Sequence, residues 1–295
     1  MMFRKRQPKW AATVAATGWG ESTFAELAWD RSRGAAARWA VGGAVVGSLI
    51  ALVVFAPAAW LASAVASATG ERILLSDARG TVWAGSAVLV LTGGPDSRDA
   101  SALPGRLNWT LGLRGTGLAL KATQACCLNG VVTVLLNPGL GRMSATLLPT
   151  TAAWVGQWPS AWLGGLGTPW NTLQLGGNAK LSSPGMTVEA VQGRWRIEGQ
   201  AQIDLTDVSS RMSTLPSLGN YRFTVSGDPA NAGTAQLNLV TLDGALQLSG
   251  SGTSGAGKTR FRGEARAQTA DEPALSNLLN IIGRRDGARS VISIG

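Results

Sequence analysis

Gly252-Thr253-Ser254-Gly255-Ala256-Gly257-Lys258-Thr259 satisfies every fixed position of the phosphate-cradling pattern G-x-x-x-x-G-K-[ST]. In such a loop the backbone N–H groups wrap the phosphates, the lysine meets the terminal phosphates and the threonine hydroxyl holds Mg²⁺. That chemistry needs a helix starting at the Lys-Thr pair, whose free N–H groups and dipole complete the anion site. The next residues are Arg260-Phe261-Arg262-Gly263-Glu264-Ala265, which have no helical periodicity, and the preceding Leu246–Ser249 alternates as a strand does. Leu239-Val240-Thr241-Leu242-Asp243 resembles a Mg²⁺-binding partner strand, but it comes first and runs into the turn pair Asp243-Gly244. Gly252, Gly257, Lys258 and Thr259 are therefore read as a glycine-rich hairpin that matches a nucleotide motif by chance. No nucleotide is expected.

The remaining side chains offer little to catalysis. There is no histidine, so neither a Ser-His-Asp relay nor an H-E-x-x-H zinc site can be built. A zinc site of carboxylates alone is not how zinc is usually held. Cys126 and Cys127 are the only cysteines. Neighbouring strand residues point to opposite faces, so these two thiols are ill placed to share a ligand. Two small buried hydrophobes are the favoured reading, and a vicinal disulfide in an oxidising compartment is the alternative. Asp96 and Asp99 lack the spacing of a calcium loop. No catalytic, metal or cofactor site is assigned, and the chain is expected not to be an enzyme. The best-defined charged feature is Arg284-Arg285-Asp286-Gly287-Ala288-Arg289, after the last helix. It is expected to cap that helix's C-terminal carbonyls, with partner docking through Arg284, Arg285, Asp286 and Arg289 as the sharper alternative.

These residues are held by a chain with an unusual charge gap. Residues 39–70 carry no charge, and the segment from Trp39 to Trp60 is apolar all round. As one helix it would be about 31 Å long, near the thickness of a bilayer's hydrocarbon core, with a tryptophan at each interface. A single transmembrane helix is expected, with Trp39 and Trp60 as its anchors. The flank holds Arg4, Lys5, Arg6, Lys9, Arg31, Arg33 and Arg38 against Glu21, Glu26 and Asp30, which puts the N-terminus in the cytoplasm. A cleaved signal peptide is disfavoured although Ala62-Ser63-Ala64 and Ala66-Ser67-Ala68 resemble cleavage sites, because the apolar run is long and 38 residues precede it. The expected layout is a basic tail over 1–38, the span and its exit over 39–70, and an exported β-rich domain over 71–295 that could subdivide near 150–170. The exported charges are scattered without a basic-aromatic stripe, so nucleic acid is not an expected partner, whereas membrane lipid is, through the anchor.

Beyond Leu74 the hydrophobic period is two. Ala87–Leu91, Leu107–Leu111, Val131–Leu135, Val191–Ile197, Leu237–Leu239 and Leu246–Leu248 read as strands, often with Thr, Ser, Asn or Gln at the intervening positions as on a sheet with one wet face. Gly93-Gly94-Pro95-Asp96, Asn137-Pro138-Gly139, Ser183-Pro184-Gly185, Gly227-Asp228-Pro229 and Asp243-Gly244 read as turns. A Gly-x-Ala-x-apolar pattern starts at Gly85, Gly177, Gly199 and Gly233, with a fifth, alanine-ended copy at Gly263. It suggests a glycine at a turn or bulge followed by a small inward residue. The fold class is mainly β: a long twisted antiparallel sheet of repeated hairpins with one or two short helices. One helix is predicted over Thr150–Leu163, where Trp154, Trp158 and Trp162 would stack on one side, read as core packing with a partner or membrane-surface contact as the sharper alternative. The other begins at Asp271 or Glu272, carries Pro273 in its first turn, and buries Leu275, Leu278, Leu279 and Ile282 before stopping at Gly283.

Gly80-Thr81-Val82-Trp83-Ala84-Gly85, Leu103-Pro104-Gly105-Arg106-Leu107-Asn108-Trp109 and the tail from Leu278 to Gly295 together resemble the type II secretion system protein N family, from about residue 70 to the end. The resemblance implies a non-enzymatic accessory part of the inner-membrane apparatus that exports folded proteins across the outer membrane of Gram-negative bacteria. It implies a periplasmic body and, as partners, other inner-membrane proteins of that machinery. It supplies no catalytic residues, and residues 1–38 inherit nothing from it. The alternative is a periplasmic lipid-handling module, in which an apolar sheet face shields an acyl chain.

Overall fold

The computed structural model describes residues 37–150, 154–191, 194–228, 230–231, 233–255 and 258–295. The tail expected over residues 1–38 lies, up to residue 36, outside them. The chain divides between Ala56 and Pro57 into two units.

The described part of the first unit holds an apolar helix, α1 (Ala37–Val54), with no buried residue among its 18. Its length is about 27 Å, enough to cross most of a bilayer's apolar core. The single helix expected from Trp39 to Trp60 is corrected here, because Pro57 interrupts it. Proline has no N–H to give, and its ring disfavours a helical residue before it. Trp39 lies on α1, whereas Trp60 lies on a separate helix, α2 (Ala58–Ala68), and is half exposed.

The second unit is built on one antiparallel sheet. Its first strands are β1 (Ile73–Gly80), β2 (Ala84–Thr92), β3 (Ala100–Ala102), β4 (Leu107–Arg114), β5 (Gly117–Thr123), β6 (Val132–Gly139) and β7 (Arg142–Leu147). A short strand β8 (Gly156–Pro159), a 3₁₀ segment (Ser160–Leu166) and one turn of helix, α3 (Trp170–Leu173), come next. The chain then runs through β9 (Leu175–Val191), β10 (Arg194–Ser210), β11 (Gly219–Gly227), β12 (Thr234–Asp243), β13 (Leu246–Gly255) and β14 (Lys258–Ala267). It closes with α4 (Glu272–Ile282), β15 (Arg284–Asp286) and β16 (Arg289–Ile294). Successive strands pair as hairpins along almost the whole path, ending in the order β14, β16, β15. The sheet passes unbroken through the 150–170 region, because β7 pairs with one half of β9 and β8 with the other.

Directly opposed residues share a face, so the register sorts the side chains. Leu181, Ile203, Phe223, Leu239, Gly250, Gly263 and Ile292 form one cross-strand row on the apolar face. One residue over, Lys180, Asp204, Arg222, Val240, Ser249, Glu264 and Val291 form the row on the opposite, largely polar face. That alternation is why the period-two pattern was readable. On the polar face Arg222 grips Asp204 with two hydrogen bonds of 2.7 and 3.0 Å.

A helix packs on the apolar face toward either end of the strand order. Under α2, Ala58, Ala87 and Trp109 are buried, with Leu61, Leu75 and Leu120 around them. Trp109 also donates its indole N–H to the Val82 carbonyl at 3.1 Å. Gly85 faces that ring: a Cβ there would fall 2.5 Å from it. Under α4, Leu275, Leu278 and Leu279 meet Leu246, Val208, Leu218, Ala265 and Tyr221. The alanines of four Gly-x-Ala copies, Ala87, Ala179, Ala235 and Ala265, are almost fully buried.

Tyr221, the only tyrosine, is buried and donates its hydroxyl to the Leu246 carbonyl at 3.0 Å. Burial pushes its hydroxyl pKa well up, so it stays a neutral donor at any working pH. Tyr221→Phe is expected to cost about 1–2 kcal/mol, since it strands a buried carbonyl. Thermal melting of the detergent-solubilised protein checks this, and an unchanged midpoint would refute it.

Three further expectations are revised. Ser183-Pro184-Gly185 is a bulge inside β9, where the register with β10 shifts, and not a turn. Val191–Ile197 joins the end of β9 to the start of β10 through residues 192–193, outside the described residues, so it is not one strand. The helix predicted over Thr150–Leu163 is absent in the described part: β8 and the 3₁₀ segment stand there, and residues 151–153 lie outside. Its tryptophans do not stack on one side. Trp158 and Trp162 meet edge to face at 5.9 Å, Trp162 donates to the Ser101 carbonyl, and Trp154 lies under Lys180.

Candidate interaction surface

The C-terminal edge of the sheet is made by α4 and the hairpin after it. The apolar spacing of Leu275, Leu278 and Leu279 turns one side of α4 onto the sheet, and Pro273 occupies its first turn, as the sequence predicts. Gly283 comes next in an extended conformation and leads straight into β15. A Cβ at Gly283 would fall 2.5 Å from the Val291 carbonyl oxygen, so the passage of the chain beside β16 needs glycine.

Arg284, Arg285, Asp286 and Arg289 are not one cluster. Arg289 and Asp286 oppose each other across the β15–β16 hairpin, Nη2 donating to Oδ2 at 2.8 Å. A second bond links Arg289 to Glu264 on β14 at 3.4 Å. Asp286, the nearest anion, raises the Arg289 pKa further. Arg285 points to the other face, beside buried Ser290, where its Nη2 lies 3.8 Å from Glu272 Oε1. Its Nη1 is buried without a hydrogen-bond partner. Arg284 is exposed.

The expected capping of α4 by these arginines is corrected. The carbonyl of Leu279 accepts from the buried Ser290 hydroxyl at 2.6 Å, so a strand residue meets the end of the helix. Sequence reasoning had no signal for this, because Ser290 is brought there only by the hairpin's return.

β15 pairs with β16 only from Arg289 to Val291, so among the described residues Ile292–Ile294 has no strand on its outer side. Ile294 is more than half exposed. A short edge strand rich in arginine is a common device against indiscriminate strand pairing, and it leaves a small, defined edge for a specific partner. At the other end of the sheet β1 is the outer strand. There Arg106 donates to Asp77 at 2.6 Å, and this bond, with Arg79 second, lowers the Asp77 pKa.

The phosphate-loop pattern lies on the β13–β14 hairpin. Gly252 and Gly255 are on β13, Lys258 and Thr259 on β14, and Gly257 lies outside the described residues. Gly255 and Lys258 are directly opposed, and the Ser254 and Thr259 hydroxyls meet across the strands at 2.9 Å. A strand, not a helix, leaves Lys258, so the helix terminus of an anion site is missing. Gly250 and Gly263 are opposed under the Phe261 ring, which a Cβ at Gly250 would strike at 2.5 Å.

Cys126 and Cys127 form a vicinal disulfide, which corrects the reading of two free, buried thiols. They occupy a turn between β5 and β6, so the opposite-faces argument for strand neighbours does not apply. Cys127 is buried and Cys126 exposed. Among the described residues no group of three or more Cys, Asp or Glu could hold a metal ion.

Residues 71–292 match the family model described as type II secretion system (T2SS), protein N. The match spans the sheet from just before β1 into β16. No curated protein and no solved structure matches the chain.

Proposed function

The chain belongs to the type II secretion system protein N family and so to type II secretion, and from that premise we propose that it is a non-enzymatic accessory component held once in the inner membrane by α1. In this reading the N-terminus is cytoplasmic and residues 71–295 are periplasmic. The observation that carries it is the family match over the whole sheet, joined to one helix long and apolar enough to cross a membrane. The lysine and arginine excess before α1 supports the orientation. The disulfide supports an oxidising compartment for the sheet.

Its partners in this proposal are other inner-membrane proteins of the same machinery, docked at the β15–β16 edge through Arg284, Arg285, Asp286 and Arg289 or by strand addition beside Ile292–Ile294. The β13–β14 hairpin binds no nucleotide. The family match lends nothing to the lipid-handling alternative. Deleting the gene is expected to leave secreted enzymes trapped in the periplasm, measured as the ratio of extracellular to periplasmic activity. Restored secretion from a plasmid copy would complete the case, and an unchanged ratio in the deletion strain would count against it.

A further inference from the structure

The hairpin ends of the sheet are unlike one another. Where β4–β5, β6–β7 and β9–β10 turn, they present Leu113, Leu140, Met143 and Trp195, with relative exposures of 85%, 107%, 53% and 56%. These belong to neighbouring hairpins: β4, β5, β6, β7, β9 and β10 are consecutive in the sheet. Met143, Ala190 and Trp195 are opposed across β7, β9 and β10, so Met143 and Trp195 share the apolar face. Leu113 opposes Leu118, which opposes Leu136, placing it on that face too. Leu140 stands at the turn itself.

Cations accompany them. Arg114 is exposed with no acidic partner among the described residues, while Arg142 and Arg196 pair with Glu189 and Glu198 at 2.9 and 3.0 Å. The loops at the opposite end carry both signs of charge, with Arg98, Arg106 and Arg211 beside Asp96 and Asp271. Exposed leucine, methionine and tryptophan beside arginine form the composition that settles into a headgroup region, tryptophan by its amphipathic ring and arginine by phosphate contact.

Chain continuity selects the surface. Pro57, the first residue of the β-rich unit, bridges to Thr81 in the β1–β2 turn. That turn lies beside β4, with the Leu111 N–H donating to the Trp83 carbonyl at 2.7 Å. The β-rich unit therefore begins at the end of the sheet that bears the apolar turns.

We propose that the turns of β4–β5, β6–β7 and β9–β10 rest in the anionic headgroup layer of the membrane that anchors α1, with Leu113, Leu140, Met143 and Trp195 in the interface. This rests on the anchored reading of α1. It gives the sheet a second hold on the bilayer besides its tether.

The test uses the full-length protein in vesicles containing one anionic phospholipid, phosphatidylglycerol, and a lipid-borne quencher. An environment-sensitive fluorophore is attached through Leu140→Cys or, as a control at the opposite end, through Leu242→Cys, which replaces another exposed leucine. The expected result is a blue-shifted emission and at least about two-fold stronger lipid quenching at 140 than at 242. Equal quenching at both positions overturns the proposal, as does a blue shift at 140 without quenching, the signature of a protein lying on the turns. Alkaline-washed vesicles are then floated on a density gradient. Protein that floats while 140 is unquenched means the anchor stands and the surface contact falls. Protein that fails to float means the anchor itself is lost.

Discussion

Leu279→Ala is expected to lower the unfolding free energy by about 2–5 kcal/mol, among the largest losses available from a single side-chain truncation in this chain. Leu279 is fully buried, as are Leu275 and Leu278, and all three lie between α4 and the apolar face of the sheet. Truncation removes the transfer free energy of the lost carbons and leaves a cavity. The cavity cannot collapse easily, because the Leu279 carbonyl is fixed by Ser290 and so ties α4 to β16. Domains of this kind are stable by only about 5–15 kcal/mol, so the variant should melt markedly earlier. Denaturant or thermal unfolding in detergent, followed by tryptophan fluorescence, measures it. A loss below about 1 kcal/mol would mean that α4 is not packed as described. Leu242→Ala is the control: Leu242 is half exposed, and its truncation should be nearly silent.

The strands were legible because the sheet has one apolar face. Alternation at 107–111, 237–239 and 246–248 arises directly from side chains facing the core on one side and water on the other. The last helix was legible for the same reason in its own period, with Pro273 and Gly283 marking its ends. What was missed depended on contacts that no local window contains. Four-residue spacing of tryptophans looks helical, yet Trp158 is on a strand paired with Ala179 and Trp162 is on a 3₁₀ segment anchored to Ser101. Ser183-Pro184-Gly185 has turn composition, but pairing with β10 on both sides of it carries β9 through as a bulge.

The candidate surface was only partly legible. Arg284, Arg285, Asp286 and Arg289 are close in sequence, and the hairpin then sends Arg285 to one face and the Asp286–Arg289 pair to the other. The exposed apolar turns could not be seen at all. Leu113, Leu140 and Trp195 are far apart in sequence and meet at one end only because the strands are consecutive hairpins. The phosphate-loop pattern was rejected from its flanks, and the strand leaving Lys258 fits that reasoning: a motif carries its chemistry only on the scaffold that aims its N–H groups.

Gly244→Val is expected to destabilise the sheet about as strongly as the core truncation, and through backbone geometry instead of packing. Gly244 has φ of +127°, in the range that residues with a side chain rarely adopt. A Cβ there would come within 2.2 Å of the Gly219 Cα and 2.4 Å of the Leu218 carbonyl oxygen. Gly219 is in turn at φ +144°, with its own missing Cβ directed at the Asp243 carbonyl. The β12–β13 turn and the start of β11 therefore approach through two glycines that face each other. Neither neighbour is a flexible side chain, so only backbone movement could make room. That movement would disturb the Leu246 N–H bond to the Leu218 carbonyl at 3.0 Å and the seat of Leu246 beneath Leu275. Backbone strain of this kind costs about 1–3 kcal/mol, and the displaced core adds to it. Gly115→Val separates the two causes. Gly115 also has positive φ, +60°, but nothing lies within 4 Å of its Cβ position, so that variant should show the conformational penalty alone. Equal melting temperatures for the two variants would show that the close approach of Gly219 and Gly244 contributes nothing.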